Sequence, residues 1–526
     1  MLLSNESVSR TRRIAAIDLG TNSFHAVIVD IAPDGRYSTI DSLKEMVLLG
    51  RDGLGHSLSD DAFERGLEAL RNIKTLCDSY KVEVIQAYAT SAIREAANGG
   101  DFIQRAIDEI GIKILAIPGQ TEAELIALAV QHGLAIGEDP VLVMDIGGGS
   151  TEFIICNQRD VFFLDSKKLG VSRIYSEFVS SDPLSKKDIR HLESFYISKL
   201  GELVEAVEEY PLETLVGTSG TMQNIAMMMA ALKKTDTSVT LNEFEYTADE
   251  FKLFYKKFMD LNSRQRSQLP GLDAKRVDLV VPGMVLLNTI LTMFQIRTVR
   301  TSTMAMREGI ILRYIRREYK ELKLLVEFPD PRRRSIHELL RKCNWHEQHS
   351  SHVTLLALQL FDALKPWHLL TTADRELLEF AALTHDIGYH ISHHKHHKHA
   401  LYIILNADLK GFTQDEIEII GHVARYHRRS VPKSSHKQFD LLSPESKKKV
   451  RALSGLLRVA DGLDRSHFQN VQDVDVKVTD SHVILQIRTM IDPQLEIWGA
   501  MRKRELFEKL FGRELRIERV ETFDAG

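Results

Sequence analysis

The stretch that decides the fold is residues 141–156, which read VLVMDIGGGSTEFIIC. The apolar run from Val141 to Met144 predicts a strand, and the run from Glu152 to Cys156 predicts a second one. Between them, Asp145 begins a glycine-rich turn, in which backbone N–H groups can approach phosphate oxygens because no side chain intervenes. The segment therefore predicts a phosphate-binding β-hairpin whose Asp145 carboxylate holds Mg²⁺, directly or through water.

The same design occurs 127 residues earlier, in residues 14–31, which read IAAIDLGTNSFHAVIVDI. Asp18 stands in the place of Asp145, and both turns follow the pattern D-x-G-x-x-S. A third glycine-bearing loop, GTSGT at 217–221, follows a strand predicted from Thr214 to Val216. One such turn is a weak signal, but three that follow strands indicate a duplicated phosphate-binding core. Alternating strand and helix patterns predict an α/β sheet in each half.

Helical patterns complete the outline of the chain. A helix is predicted from Thr121 to Gln131, with Thr121 and Glu124 as its capping box. After residue 332 the strand patterns give way to long helical ones. Near residue 474 two alternating strands appear, followed by a helix from about Leu495 to Phe511. These patterns predict an all-α domain and then a small α+β domain.

Charge is distributed unevenly along the 526 residues, whose net charge is −5. Residues 331–470 contain 21 Lys and Arg against 15 Asp and Glu, and 16 of the 21 histidines. A basic, histidine-rich segment suits an anionic ligand or a bound metal, although a solvated basic surface is an equal alternative. Three widely spaced cysteines favour a reducing compartment, and no apolar run approaches the ~20 residues of a membrane span. A cytoplasmic protein without membrane insertion is expected.

Six motifs in the first part of the chain resemble the exopolyphosphatase and guanosine pentaphosphate phosphatase (Ppx/GppA) family. They are AIDLGTNSFH at 16–25, TSAIRE at 90–95, GQTEAELI at 119–126, DIGGGSTE at 145–152, GTSGT at 217–221 and REG at 307–309. The segments HKHALYIIL at 397–405 and RYHRR at 425–429 are similar to the helical part of the long members. The resemblance implies two actin-like domains (ASKHA superfold, RNase H-like) with a cleft between them.

The resemblance also implies roles for individual residues. Glu122 takes the place of the catalytic base and Arg94 that of a phosphate-clamping arginine. From the residues alone, Glu122 is equally a first-turn acid and Arg94 an ion-pair partner of Glu95 or Asp101. Asp145 and Glu152 correspond to the ligands of Mg²⁺ or Mn²⁺. The expected phosphate-binding residues are Asp18, Gly20, Asn22, Ser23, Gly147, Gly148, Gly149, Ser150, Thr151, Ser219, Gly220 and Thr221.

A second set of residues resembles the metal-dependent HD phosphohydrolase domain. It consists of His349, His385, Asp386 and Asp461, found in the segments FAALTHDIG at 380–388 and LRVADGLD at 457–464. Imidazole and carboxylate ligands suit a divalent metal. A further metal position is expected from His399, His422 and His427. The alternative is a relic domain that binds the polyanion by charge alone.

Together these features predict four domains. They are an actin-like domain I at 13–133, on which a helix near 303–318 packs back, an actin-like domain II at 134–320, an all-α HD-type domain at 332–470 and an α+β domain at 471–526. The predicted function is release of terminal orthophosphate from inorganic polyphosphate. The alternatives are hydrolysis of guanosine pentaphosphate (pppGpp to ppGpp), an ATP-dependent sugar-kinase-like enzyme and a nucleotide-sensing regulator. A homodimer that binds no nucleic acid is expected.

Overall fold

The chain forms two compact units, Met1–Pro331 (unit 1) and Arg332–Gly526 (unit 2). The structure, a computed structural model, describes residues 10–50, 56–235, 240–318, 328 and 330–520. The segment EFPDP at 327–331, whose two prolines predict a linker, lies partly outside the described residues. Among the described residues, no helix is both long and apolar enough to cross a membrane.

The first half of unit 1 is built on a five-stranded mixed sheet with the order β3-β2-β1-β4-β5. Its strands are β1 (Arg12–Leu19), β2 (Ser23–Ile31), β3 (Tyr37–Met46), β4 (Val84–Ala89) and β5 (Ile114–Ala116). Its helices are α1 (Asp60–Ser79), α2 (Ser91–Glu95), α3 (Gly99–Arg105), a π-helical turn (Ala106–Ile110) and α4 (Gly119–Gly133). Strand β1 pairs antiparallel with β2 and parallel with β4.

The second half of unit 1 contains a six-stranded mixed sheet with the order β10-β11-β9-β6-β7-β8. Its strands are β6 (Val141–Ile146), β7 (Thr151–Cys156), β8 (Val161–Lys167), β9 (Thr214–Thr218), β10 (Glu245–Thr247) and β11 (Thr298–Thr301). Its helices are α5 (Val171–Phe178), α6 (Lys186–Lys199), α7 (Gly201–Glu209), α8 (Ser219–Lys233), α9 (Ala248–Met259), α10 (Ser263–Arg266), a 3-10 turn (Ala274–Arg276), α11 (Val280–Met293) and α12 (Met306–Glu318). Helix α12 packs on α4 and β1.

The two predicted hairpins have the same backbone geometry. The N–H of Gly20 donates to the carbonyl of Ser23 at 3.2 Å, and the N–H of Gly147 donates to the carbonyl of Ser150 at 3.0 Å. Every residue of β6 and β7 is buried, as expected for strands covered on both faces. The prediction of duplicated α/β domains with mixed sheets is confirmed. The boundary between them near residue 133 stays a prediction.

Helix α4 begins two residues earlier than predicted. It starts at Gly119, directly after Pro118, and no side chain caps its first turn. The predicted capping box of Thr121 and Glu124 is therefore wrong, because both residues lie inside the first turns. Proline favours a helix start, since its fixed φ suits the helix and it lacks an N–H. Glu122 is consequently a first-turn residue, near the positive end of the helix dipole.

Unit 2 combines helices with a three-stranded sheet of order β12-β13-β14. The helices are α13 (Pro331–Lys342), α14 (Glu347–Ala363), α15 (Lys365–His368), α16 (Thr372–Thr384), a 3-10 turn (Ile387–His390), α17 (His396–Leu405), α18 (Gln414–Tyr426), α19 (Lys437–Asp440), α20 (Pro444–Leu463), α21 (Gln494–Met501) and α22 (Glu505–Phe511). The strands are β12 (Val471–Val478), β13 (His482–Thr489) and β14 (Glu514–Arg519). The single helix predicted from about Leu495 to Phe511 is wrong, since two helices occupy that span.

One hydrophobic core runs through unit 2. It includes Ile336 and Phe380 from the helices before residue 470 and Leu485 and Leu515 from the sheet after it. Both predicted parts, 332–470 and 471–526, thus share a core. The boundary near residue 470 stays a prediction.

Candidate active site

The predicted phosphate loops meet in one cavity of unit 1, with a volume of about 140 Å³. Both halves of the unit line it. The residues that were predicted from sequence and line it are Asp18, Gly20, Asn22, Ser23, Glu122, Asp145, Gly147, Gly148, Gly149, Ser150, Ser219, Gly220 and Thr221. Their backbone N–H groups, hydroxyls and carboxylates can bind phosphate and a cation together.

Two glycines allow the loops to approach each other. A Cβ on Gly149 would lie 2.2 Å from the Ser91 hydroxyl oxygen, and a Cβ on Gly148 would lie 2.8 Å from Nδ2 of Asn22. Neither contact is sterically acceptable. Side chains at these positions would therefore push the glycine loop of the second half away from the first half.

Strand register brings the acidic groups together. Asp145 on β6 stands opposite Glu152 on β7, so both side chains lie on the same face of the sheet. In the first half, Asp18 stands opposite His25 in the same way. Burial, and next the positive charges of Arg307 and Lys44, lower the pKa of His25 to about 3, so it is neutral at pH 7.

Asp18, Glu122 and Asp145 line this cavity, whereas the buried Glu152 lies beside Asp145 without lining it. Each of the four carboxylates has a raised pKa. Burial raises the pKa of Asp18 to about 6. It raises the pKa of Glu152 to about 7, although hydrogen bonds from Ser150 and Ser166 oppose it. Burial and then the charge of Glu152 raise the pKa values of Glu122 and Asp145 well above their usual range. Burial thus disfavours the ionised form of all four carboxylates as long as no cation accompanies them.

This donor set suits a hard divalent cation. Oε2 of Glu122 is buried and makes no hydrogen bond, and the other three carboxylates add only oxygen donors. Mg²⁺ and Mn²⁺ prefer oxygen ligands, and a bound cation would favour the ionised form of every group in the cluster. The residues present therefore fit the predicted metal, with Asp145 and Glu152 as its expected ligands.

Arg94 lies at the junction of this cleft with a second cavity of about 420 Å³. Its Nη1 lies 3.5 Å from Oε2 of Glu122 and donates to the carbonyl of Ile117 at 2.7 Å. Lys167 and Lys168 line the second cavity, and Ser150 lines both. Glu95 and Asp165 also line it and pair with these lysines, so a cavity of mixed charge adjoins the predicted catalytic base.

Three cations of the cleft were not predicted as site residues. Lys44 on β3, Arg276 in the 3-10 turn and Arg307 at the start of α12 line the first cavity. Among the described residues, no carboxylate lies within ion-pair distance of Lys44 or Arg276. Burial lowers the pKa of Arg276, which is the cost of placing a cation there without an anionic partner. A phosphate group would provide that partner.

The structure gives two further residues roles that differ from expectation. Thr151, predicted to bind phosphate, is fully buried, and its hydroxyl donates to the carbonyl of Leu169 at 3.1 Å. That hydroxyl supports the loop rather than lining the cavity. Arg173, not identified from sequence, donates to the carbonyl of Gly149 at 3.1 Å and to Glu95 at 3.0 Å. It holds the glycine loop in place, and no sequence motif pointed to it.

In unit 2 the four predicted HD-type residues lie side by side. Nε2 of His349 is 3.7 Å from Asp386 and 3.7 Å from Asp461. Nε2 of His385 is 3.6 Å from Asp386 and 3.9 Å from Asp461. The sequence thus identified a cluster that the fold assembles from α14, the end of α16 and α20.

The predicted second group is only partly correct. Asp386, His396 and His427 lie close enough together to share an ion. His427 was expected there, but His399 and His422 do not take part. The ring of His422 instead lies near Tyr426 and Phe439. Position along the histidine tract did not reveal which ring turns inward.

Paired actin-like α/β halves, with glycine loops and a carboxylate cluster in a shared cleft, define an enzyme that transfers phosphoryl groups to water or another acceptor. The Ppx/GppA phosphatase family model matches residues 27–318, and a model of Ppx/GppA phosphatase domain III matches residues 332–496. The chain belongs to the Ppx/GppA phosphatase family, as the sequence motifs indicated.

Two solved structures illustrate the similarity. The crystal structure of an exopolyphosphatase from Cytophaga hutchinsonii is 29% identical, over 58% of this chain and 98% of that one, with a TM-score of 0.55. The crystal structure of the Aquifex aeolicus Ppx/GppA family member is 27% identical, over 59% of this chain and 99% of that one, with a TM-score of 0.51.

Proposed function

We propose that the cleft of unit 1 is an exopolyphosphatase site, which releases terminal orthophosphate from inorganic polyphosphate. The observation that carries this is the position of Glu122. Its buried, unbonded Oε2 lies in the cavity formed by the three glycine-bearing loops. A carboxylate so placed can accept a proton from a water that attacks a phosphate held by those loops.

Each part of the cleft has a task in this reaction. The N–H groups of the loops around Gly147 and Gly220 bind the oxygens of the terminal phosphate. Arg94 lies beside Glu122 and can clamp a phosphate oxygen while Glu122 orients the water. When bound at Asp145 and Glu152, Mg²⁺ or Mn²⁺ would offset the charge of the phosphate oxygens. None of these residues forms a bond to phosphorus, so apart from proton transfer to Glu122 catalysis depends on positioning and charge neutralisation.

Polyphosphate is favoured over guanosine pentaphosphate by the kind of groups that line the cleft. Backbone N–H groups, hydroxyls and the cations Lys44, Arg276 and Arg307 recognise phosphate rather than a base. The adjoining cavity contains Lys167 and Lys168, and a longer chain of phosphates that extends there would exchange for their present carboxylate partners. The similar Cytophaga structure is also an exopolyphosphatase. Guanosine pentaphosphate hydrolysis, an activity of the same family, is the less favoured reading.

The two remaining alternatives, a sugar-kinase-like enzyme and a nucleotide-sensing regulator, predict different outcomes when ATP or another nucleotide is added. A sugar-kinase-like enzyme would transfer phosphate to an acceptor hydroxyl, and a sensor would bind without releasing phosphate. Family membership favours a phosphatase over both. In the proposed function, Glu122 directs water, and not a sugar hydroxyl, at the terminal phosphorus.

The test compares Glu122→Gln with Glu124→Gln, since Glu124 is exposed on the same helix. Phosphate release from polyphosphate and thermal unfolding are measured together. We expect Glu122→Gln to lose about 10²–10⁴ in turnover, the usual contribution of a general base, and to have a Tm no lower than that of the wild type. Glu124→Gln should match the wild type. Wild-type turnover in Glu122→Gln would remove Glu122 from the mechanism.

We further propose that the helical part of unit 2 is an HD-type domain that binds one divalent metal through His349, His385, Asp386 and Asp461. Burial of these groups beside one another supports this, because a cation relieves the cost of packing carboxylates against imidazoles. A cytoplasmic location and a homodimeric state stay predictions.

A further inference from the structure

The glycine loop of the second half of unit 1 is held from behind by the first turn of α5. Each carbonyl of this loop accepts a hydrogen bond from that turn. The pairs are Gly147 with the N–H of Val171 at 2.9 Å, Gly148 with the N–H of Ser172 at 2.9 Å, and Gly149 with Nε of Arg173 at 3.1 Å. The side of the loop that carries its carbonyls is therefore fixed to α5.

These bonds set the direction of the N–H groups of the loop. In a trans peptide the C=O and the N–H that follows it point in opposite directions. Because the three carbonyls face α5, the N–H groups at 148–150 face away from it. Residues 148–150 all line the phosphate cavity. The first turn of α5 therefore determines how the loop presents its N–H groups to a phosphate.

Arg173 extends this support across the cleft to the first half of unit 1. Its guanidinium is buried, and Nη2 donates to Oε2 of Glu95 at 3.0 Å. Glu95 is the last residue of α2, the short helix that also carries Arg94, and its Oε1 lies 3.9 Å from Nη2 of Arg94. One guanidinium thus joins the glycine loop to the helix that bears the expected phosphate clamp.

Two other contacts connect the same parts of the cleft. The Ser172 hydroxyl donates to Oδ1 of Asn22, in the glycine turn of the first half, at 2.9 Å. Nζ of Lys168 lies 2.9 Å from Oε2 of Glu95, but the Lys168 side chain is 69% exposed, against 10% for Arg173. Solvent screens an exposed ion pair, so Arg173 is the stronger partner of Glu95.

We propose that Arg173 and Glu95 are positioning residues, which hold the glycine loop and Arg94 in a fixed relative position for phosphoryl transfer. This inference rests on the proposed function, in which the loop binds the terminal phosphate while Arg94 clamps it. Neither Arg173 nor Glu95 has to contact the substrate. Without their link the loop and α2 move separately, and a misplacement of about 1 Å can cost about 10²-fold in rate.

The test is a double-mutant cycle on phosphate release from polyphosphate in saturating Mg²⁺, with Arg173→Met, Glu95→Ala and the double variant. We expect each single variant to lower kcat about 10–100-fold with KM little changed, because the N–H groups that bind the phosphate remain. The double variant should be no slower than the slower single variant, since either change alone breaks the link. Losses that multiply in the double variant, or a wild-type kcat in a folded single variant, would overturn the proposal.

Two further variants keep the result interpretable, and thermal unfolding checks that each variant folds. Arg159→Met, whose partner Glu138 is as exposed as Arg159 itself, is the matched control in the same half and should keep the wild-type kcat. Arg173→Lys serves if the other substitutions prevent folding. It keeps a positive charge beside Glu95, but one ammonium lacks the planar fork that bonds Gly149 and Glu95 together. Its kcat should also fall, and a wild-type kcat would refute the proposal.

Hydrogen exchange of the amides at 170–174 separates this proposal from the proposed function. Glu95→Ala lies in the other half and leaves the sequence of that segment unchanged. We expect faster exchange there in Glu95→Ala and not in Arg159→Met, because the link supports the first turn of α5. Unchanged exchange in Glu95→Ala would refute the link even in an active enzyme. If the wild type releases no phosphate from polyphosphate, the proposed function fails, and the exchange result alone decides whether the link holds.

Discussion

Glu152→Gln should stabilise the metal-free protein at pH 8 much more than at pH 5. Glu152 is 1% exposed, and burial raises its pKa to about 7 from the 4.5 expected in an unfolded chain. The folded state therefore binds the proton more tightly than the unfolded state. Its contribution to stability is present below pH 4.5 and is lost as the pH rises through 7.

The two pKa values set the size of the effect. The difference between them lowers the free energy of unfolding of the wild type by about 3 kcal/mol at pH 8 and by less than about 1 kcal/mol at pH 5. Gln keeps the shape and can still accept the hydrogen bond from Ser166, but it never ionises. At about 2 °C per kcal/mol for a unit of this size, the Tm of unit 1 should rise by about 6 °C at pH 8.

Thermal unfolding of the wild type and Glu152→Gln is followed by calorimetry in EDTA at both pH values. The transition of unit 2, which carries no substitution, serves as an internal reference. Adding Mg²⁺ at pH 8 should narrow the difference, because the cation stabilises only a site with its ionised carboxylates. A difference in Tm that is the same at pH 5 and pH 8 would refute the reasoning.

Three other substitutions test the cleft. Asp145→Ala and Glu152→Ala should each raise the Mg²⁺ concentration that gives half-maximal phosphate release, since both carboxylates flank one phosphate loop; an unchanged value in both would exclude metal ligation there. Gly149→Ala should lower both turnover and stability, the latter by about 1–3 kcal/mol, because the added methyl would meet the Ser91 hydroxyl. Gly100→Ala, which meets no atom within 4 Å, is its control in the same unfolding assay, and equal behaviour of the two would contradict the steric argument.

Most of the phosphate cleft could be predicted because its residues lie in local patterns. A strand, a glycine turn and a returning strand fix their own register, which places Asp145 opposite Glu152. Lys44 and Arg276 have no such pattern, and Arg307, although it lies in the REG motif at 307–309, was not assigned a role in the site. They come from a strand, a 3-10 turn and the start of a helix that are distant in sequence. Only the folded arrangement of these elements brings the three cations to one cavity.

In unit 2 the sequence indicated four ligands but not how the second group is completed. The tract at 393–399 contains five histidines without helical spacing that would select one. His396 turns inward as the first residue of α17, while His399 in the next turn is half-exposed. His397 is buried as well, so what distinguishes His396 is that its Nε2 lies 3.2 Å from Asp386, a contact that depends on neighbouring helices. The break between α21 and α22 was missed because residues 502–504, which read RKR, contain no glycine or proline that would end a helix.

The central claim is that the cleft of unit 1 hydrolyses polyphosphate with Glu122 as its base. The most direct measurement is phosphate release from long polyphosphate and from guanosine pentaphosphate, side by side, by the wild type and Glu122→Gln in saturating Mg²⁺. We predict a higher kcat/KM for polyphosphate and loss of both activities in the variant. A higher kcat/KM for guanosine pentaphosphate, or an undiminished rate in Glu122→Gln, would contradict the account.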